Sequence, residues 1–240
     1  MFNRQDLAHF EGFGVPDLLG EDCRLLIVGI NPGLWTAAAG VHFAHPTNRF
    51  WPAMRRAGLV EVEPNIRPPA PSVPIVEPDY LGQPPSELWT AATYTDSCHP
   101  SNRFSPALRA AGLIEWRIDT SVGMSDEERE RLAATGVGIT NLVPRATARA
   151  SELTAAELRE GAIRLHRLVA DVSPAVVAVA GLTAYRTAFE RPKAVLGRQP
   201  ETIDDAKLWV VPNPSGLNAH ETIDTLAVRY RSVAEAAGLL

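Results

Sequence analysis

Cysteine is nearly absent from these 240 residues: there are two, Cys23 and Cys98, and no CxxC pair. Two thiols cannot supply the four ligands of a zinc or iron–sulfur centre, and a chain so poor in cysteine fits a reducing compartment. Positive charge is short as well. The 23 Lys and Arg against 28 Asp and Glu leave a formal net charge of −5. That excludes a non-specific nucleic-acid coat, which gains affinity by neutralising phosphates, while leaving room for an enzyme with a local basic face. No apolar run nears the roughly 18 residues of a membrane span. The first twenty residues have no basic stretch leading into an apolar one, as a secretory signal would. These absences predict a soluble, cytoplasmic protein with no membrane contact.

What is present is an ordinary globular composition, 45% hydrophobic and 21% charged, in a chain long enough for one full-sized domain over 1–240. Four short apolar runs close on a Gly, Asn or Pro at their last or next-to-last residue: 23–29 (CRLLIVG), 136–142 (GVGITNL), 175–181 (AVVAVAG) and 208–212 (LWVVP). Such runs suit strands buried on both faces of a parallel sheet. Between them lie helical stretches. One is 48–57; another is 125–134, with Ser125 as N-cap and acids in its first turn. A third places Leu158, Ala162, Leu165 and Val169 on one apolar face, and 222–240 reads as a final helix. Strands alternating with helices predict an α/β layered sandwich around a mainly parallel sheet.

Residues 64–85 break the pattern with eight prolines, so neither a helix nor a central strand can cross them. Around this linker lies a duplication. Segments 34–61 and 88–115 are offset by 54 residues and identical at 17 of 28 positions. Two copies are too few for a stacked solenoid, so 62–115 reads as linker plus repeat inserted into a single domain. The copies are not equivalent: Phe43 and Trp51 of the first face Ser97 and Ser105 in the second.

Two loops leave apolar strands carrying amides, prolines and glycines: Gly29-Ile30-Asn31-Pro32-Gly33 and Asn213-Pro214-Ser215-Gly216-Leu217-Asn218. Asn, Pro and Gly dominate plain turns, so either loop alone reads as a turn. Together, after two core strands, they favour a binding edge, because ligands of open α/β sheets sit beyond the carboxyl ends of the strands. If the two strands are parallel neighbours, the loops meet.

GINPG after the first strand, FAHPTNRFW, GVGITNL and VPNPSGL, in that order, resemble the mismatch-specific uracil-DNA glycosylase and thymine-DNA glycosylase family. The resemblance spans the chain except for the proline-rich insert and one repeat copy. It implies a three-layer α/β/α fold around a short, mainly parallel sheet, and a monofunctional enzyme. Such an enzyme flips uracil, and related damaged bases, out of G·U-type mismatches and hydrolyses the glycosidic bond. The expected partner is double-stranded DNA with a mismatched or damaged base, the expected state a monomer meeting the nucleoid when acting, and no cofactor or metal is expected. The few cysteines argue against the iron–sulfur uracil glycosylases.

By the same resemblance Asn31 is the catalytic asparagine that holds water near the anomeric carbon, and no lysine stands there to form a Schiff base. Ile30, Phe43 and Asn141 would line the base pocket: Phe43 stacking on the base, Asn141 reading it with an amide that both donates and accepts. Gly216, Leu217 and Asn218 match a wedge that enters the stack and reads the opposing base. Where bacterial relatives carry an arginine after this segment, Ala219 and His220 stand here. Arg145, Arg149 and Ser215 are candidate phosphate contacts. Each position also has a plainer reading: Phe43 as core, Asn141 as a satisfied strand end, Leu217 as an exposed loop residue, the arginines as solvated surface. His45 and His99, at matching places in the two copies, are poor evidence for a metal pair. Two other functional classes remain open, a damage-binding module without turnover and a nucleoside or sugar hydrolase; the latter has no use for a wedge loop.

Overall fold

A computed structural model describes residues 7–61, 64 and 123–240. The strands are β1 (Leu25–Gly29), β2 (Val137–Asn141), β3 (Val176–Ala180), β4 (Gly197–Ile203) and β5 (Ala206–Val211). The helices are α1 (Leu34–Ala39), α2 (Phe50–Ala57), α3 (Asp126–Ala133), α4 (Ala155–Val172), α5 (Leu182–Ala188) and α6 (Ile223–Ala237). One sheet runs β2-β1-β3-β5-β4, parallel except for the antiparallel β4–β5 pair.

The three layers follow from strand alternation, which sends successive side chains to opposite faces. On one face Leu25, Ile27, Val137, Ile139, Val176 and Ala178 pack with α2, α3 and α6. On the other, Leu26, Val28, Val177, Val179, Leu208 and Val210 pack with α4 and α5. Because both faces are covered, β1, β2 and β3 are buried along their whole length, which is why they read as continuous apolar runs. The fold class expected from the sequence is the one observed.

The helix starts also have local causes. Ser125 accepts from the Glu128 amide while the Glu128 carboxylate accepts from the Ser125 amide, and Thr154 and Glu157 repeat this reciprocal cap at α4. On α4, Ala162, Leu165 and Val169 are buried and Leu158 packs beside them.

The sequence reading lacks α1, α5 and β4. The two helices span 6 and 7 residues, too short for helical periodicity to register. Strand β4 is an edge, alternates exposed and buried positions, and carries Pro200 at a break in register between Arg198 and Thr202. Proline is tolerated there because an edge strand leaves some N–H groups without a ladder partner.

The first repeat copy forms α1, α2 and the segment between them. Phe50 is fully buried, edge-on to Trp51 and Tyr230 with centroids at 4.9 and 5.6 Å. Trp51 Nε1 donates to the His42 carbonyl at 3.0 Å. The second copy and most of the proline-rich linker lie outside the described residues. No described helix is long and apolar enough to cross a membrane.

Candidate active site

All four parallel strands end at one edge, and the loops following β1 and β2 are stitched together there. Gly29 and Asn141 are register partners. Beyond them the Leu142 amide donates to the Gly29 carbonyl at 2.8 Å, the Val143 amide to Ile30 at 2.9 Å and the Thr147 amide to Pro32 at 3.2 Å. Asn31 sits in the middle of this seam. Its Nδ2 donates to Thr147 Oγ1 at 2.8 Å and to the Arg145 and Pro32 carbonyls at 3.1 Å each. A main-chain carbonyl can only accept, so this end of the amide must be nitrogen. Oδ1 therefore points the other way, and among the described residues it accepts no hydrogen bond.

Thr147 completes the arrangement. Its hydroxyl donates to the Arg149 carbonyl at 2.9 Å, which leaves a lone pair for Asn31. Buried at 1% exposure, it is a site residue that the sequence reading missed. Nothing in a lone threonine after a strand marks it; only the pairing of the two loops does.

The condition under which strand pairing would bring the two loops together, that β1 and β5 are neighbours, is not met. Strand β3 lies between β1 and β5, with Ile30 resting against Gly181 at the end of β3. The gap is bridged instead by residues 40–49. On one side Phe43 comes down on Gly29: a Cβ there would lie 3.3 Å from Phe43 Cζ and would collide with Asn141 Oδ1. Only glycine lets ring and amide approach the strand end so closely. Phe43 stacks on Phe50 at 4.1 Å between centroids and holds φ at +57°, a left-handed conformation costing a side-chain-bearing residue ~1–2 kcal/mol. Such strain persists where the surroundings over-determine the backbone.

On the other side the same bridge grips the loop after β5. A Cβ on Gly216 would fall 2.5 Å from Thr47 Oγ1 and 2.6 Å from the Thr47 carbonyl oxygen. Arg49 donates from Nη1 to Asn218 O at 2.8 Å and Glu221 O at 2.6 Å, and from Nη2 to Gly216 O at 3.1 Å, while its amide donates to Pro214 O at 3.0 Å. Arg49 is the second residue that the sequence reading passed over. Within the loop, Asn213 Oδ1 accepts from the Ser215 amide, Ser215 Oγ from the Leu217 amide, and Asn218 Nδ2 donates to Asn213 O. Tied at so many points, the loop still presents Leu217 at 94% exposure. Ala219 and His220 are exposed beside it.

Asn141 is buried, and its Nδ2 lies 3.2 Å from His42 Nδ1. The Arg145 guanidinium is paired with Glu157 at 2.5 Å. That bond from Arg145, with the Thr154 amide and hydroxyl, lowers the Glu157 carboxyl to about 2. Arg149 is exposed. His45 Nδ1 accepts from the Thr47 amide at 3.2 Å, and His99 lies outside the described residues. Among the described residues no three His, Cys, Asp or Glu side chains gather as a metal site.

By its architecture the chain falls among α/β enzymes that work at the carboxyl edge of a parallel sheet. The model of the uracil DNA glycosylase superfamily matches residues 16–87 and 79–234. Each match takes in one repeat copy, so the duplicated segment is itself part of the family pattern. The chain belongs to the uracil DNA glycosylase superfamily, and its chemistry is hydrolysis of the N-glycosyl bond of uracil in DNA.

Proposed function

We propose that this chain is a monofunctional glycosylase of the mismatch-specific type, excising uracil flipped from G·U-type pairs in duplex DNA and so initiating base excision repair. The observation that carries this reading is the Asn31 amide: its nitrogen end is tied to three acceptors and its oxygen end is left open. An amide fixed this way can orient a water by accepting a hydrogen bond from it, but it cannot take up a proton at neutral pH.

Catalysis without a general base must therefore be dissociative. The C1′–N1 bond stretches first, its electron pair leaves with uracil, and the sugar gains oxocarbenium character. The water beside Asn31 then bonds to C1′ and its proton passes to solvent. A good general base contributes ~10²–10⁴-fold, so a slow enzyme is expected. Phe43 supplies the stacking face, Ile30 part of the pocket wall, and Asn141 the base-reading amide.

Leu217, between Gly216 and Asn218, fits a wedge, because an apolar side chain held out on a tied-down loop can fill the gap a flipped base leaves. Arg149 and Ser215 suit phosphate contacts. Arg145 would reach a phosphate only by leaving Glu157. A preference for G·U follows from the lower cost of unpairing a wobble pair.

The test is strand cleavage of labelled G·U, A·U and single-stranded uracil substrates after alkaline treatment. Wild type should cut G·U best, and Asn31→Ala should lose cleavage while retaining duplex binding. Full cleavage by Asn31→Ala, or no preference for the mismatch, would overturn the reading.

A further inference from the structure

An asparagine cannot discriminate between bases until something decides which end of its amide is oxygen. At Asn141 that decision is made by a neighbour outside the pocket wall. His42 is buried at 4% exposure, and its Nε2 lies 3.0 Å from the Pro16 carbonyl. Because a carbonyl only accepts, Nε2 carries the proton. Pro16 is itself held in place, since Leu18, two residues on, pairs with Ile139 of β2 in both directions, at 2.9 and 2.7 Å. Burial keeps the ring neutral, against the opposing pull of Asp17. Nδ1 then has only a lone pair, so the Asn141 atom 3.2 Å away must be the donor nitrogen. Oδ1 is consequently turned to the Gly29 side, beneath Phe43. Arg164 Nη2 donates to the Asn141 main-chain carbonyl and steadies the residue from the opposite layer.

We propose that His42 is a positioning residue for base choice: its single tautomer, locked by the Pro16 carbonyl, holds the Asn141 amide with oxygen toward the base. An oxygen there accepts the N3–H of uracil and faces the bare N3 lone pair of cytosine. The inference rests on the base-pocket reading above and adds a residue that never touches the base. Rotation of the amide by half a turn would present nitrogen instead and invert the preference.

The experiment compares single-turnover excision of 5-fluorouracil and 5-fluorocytosine opposite guanine, the fluorine making each base a competent leaving group. Wild type should favour fluorouracil strongly. His42→Leu, which offers no acceptor, should shrink that preference about tenfold or more, the scale of one misoriented hydrogen bond. His42→Asn, whose Oδ1 can stand where Nδ1 stood, should recover most of it. A loss of rate in His42→Leu with the ratio unchanged would mark a purely structural role and overturn the proposal. Should His42→Leu fail to fold, the ¹⁵N spectrum of the wild-type imidazole decides: a neutral Nε2–H tautomer is required, and an Nδ1–H tautomer or a charged ring at neutral pH refutes it. Wild type that cuts neither base would sink the glycosylase reading itself, an outcome distinct from an unchanged ratio.

Discussion

Replacing Arg49 with alanine should separate duplex from single-stranded activity. Its guanidinium makes three bonds to loop carbonyls, at 2.6, 2.8 and 3.1 Å. Hydrogen bonds to charged groups contribute about 1.5–3 kcal/mol each when well shielded. Arg49 is half-buried, so about 1 kcal/mol apiece is the reasonable figure, or ~3 kcal/mol holding the Leu217 loop in one shape. Spread over a loop that can then sample other shapes, that corresponds to at most ~100-fold fewer competent molecules. Single-turnover excision from a G·U duplex should fall ~10–100-fold, whereas excision from single-stranded DNA, where no stack must be held open, should fall only a few-fold. Hydrogen exchange should quicken across 213–221. Leu217→Ala gives the comparator: with 94% of its surface in solvent its loss should leave the melting temperature and the exchange pattern alone while lowering duplex turnover. Equal losses on paired and unpaired substrates in Arg49→Ala would refute the reasoning, because the defect would then lie in the base pocket.

Thr147→Val should lower kcat by ~5–10-fold with KM little changed, since one net hydrogen bond of about 1 kcal/mol to Asn31 is lost; Thr147→Ser should retain the rate, and a Val variant at wild-type speed would exclude the role. Deleting 62–115, which joins Glu61 to Trp116, should give a folded protein that still excises uracil, because the first repeat copy supplies Phe50, Trp51 and Met54 to the described core. An insoluble product would show that the second copy is needed. Acid should destabilise in two stages, read by urea midpoints from pH 8 down to about 2. His42 is depressed by burial from 6.5, so its contribution is complete above that pH and is lost as pH falls below it. Glu157 is depressed from 4.5 to about 2, so its contribution is lost as pH falls across that window. His42→Asn should remove only the upper stage and Glu157→Gln only the lower.

By itself the sequence determined what depends on near neighbours. Continuous apolar runs suited strands buried on both faces, and Ser125, legible as an N-cap, starts its helix where the residues said it would; the equally local Thr154–Glu157 cap went unread. The duplication, the four motifs and the amide-bearing loops were equally legible, as local patterns. The tertiary structure alone decided that β3 separates β1 from β5, and so that the two loops are joined by the Phe43–Arg49 bridge rather than by strand pairing. Arg49 grips carbonyls 167 to 172 residues away, Asn31 finds Thr147 across 116, and His42 sets Asn141 across 99. Partnerships at such separations leave no periodicity in the chain. They come into being only when the sheet brings its loops to one edge and buried polar groups must find whatever donor or acceptor lies within reach.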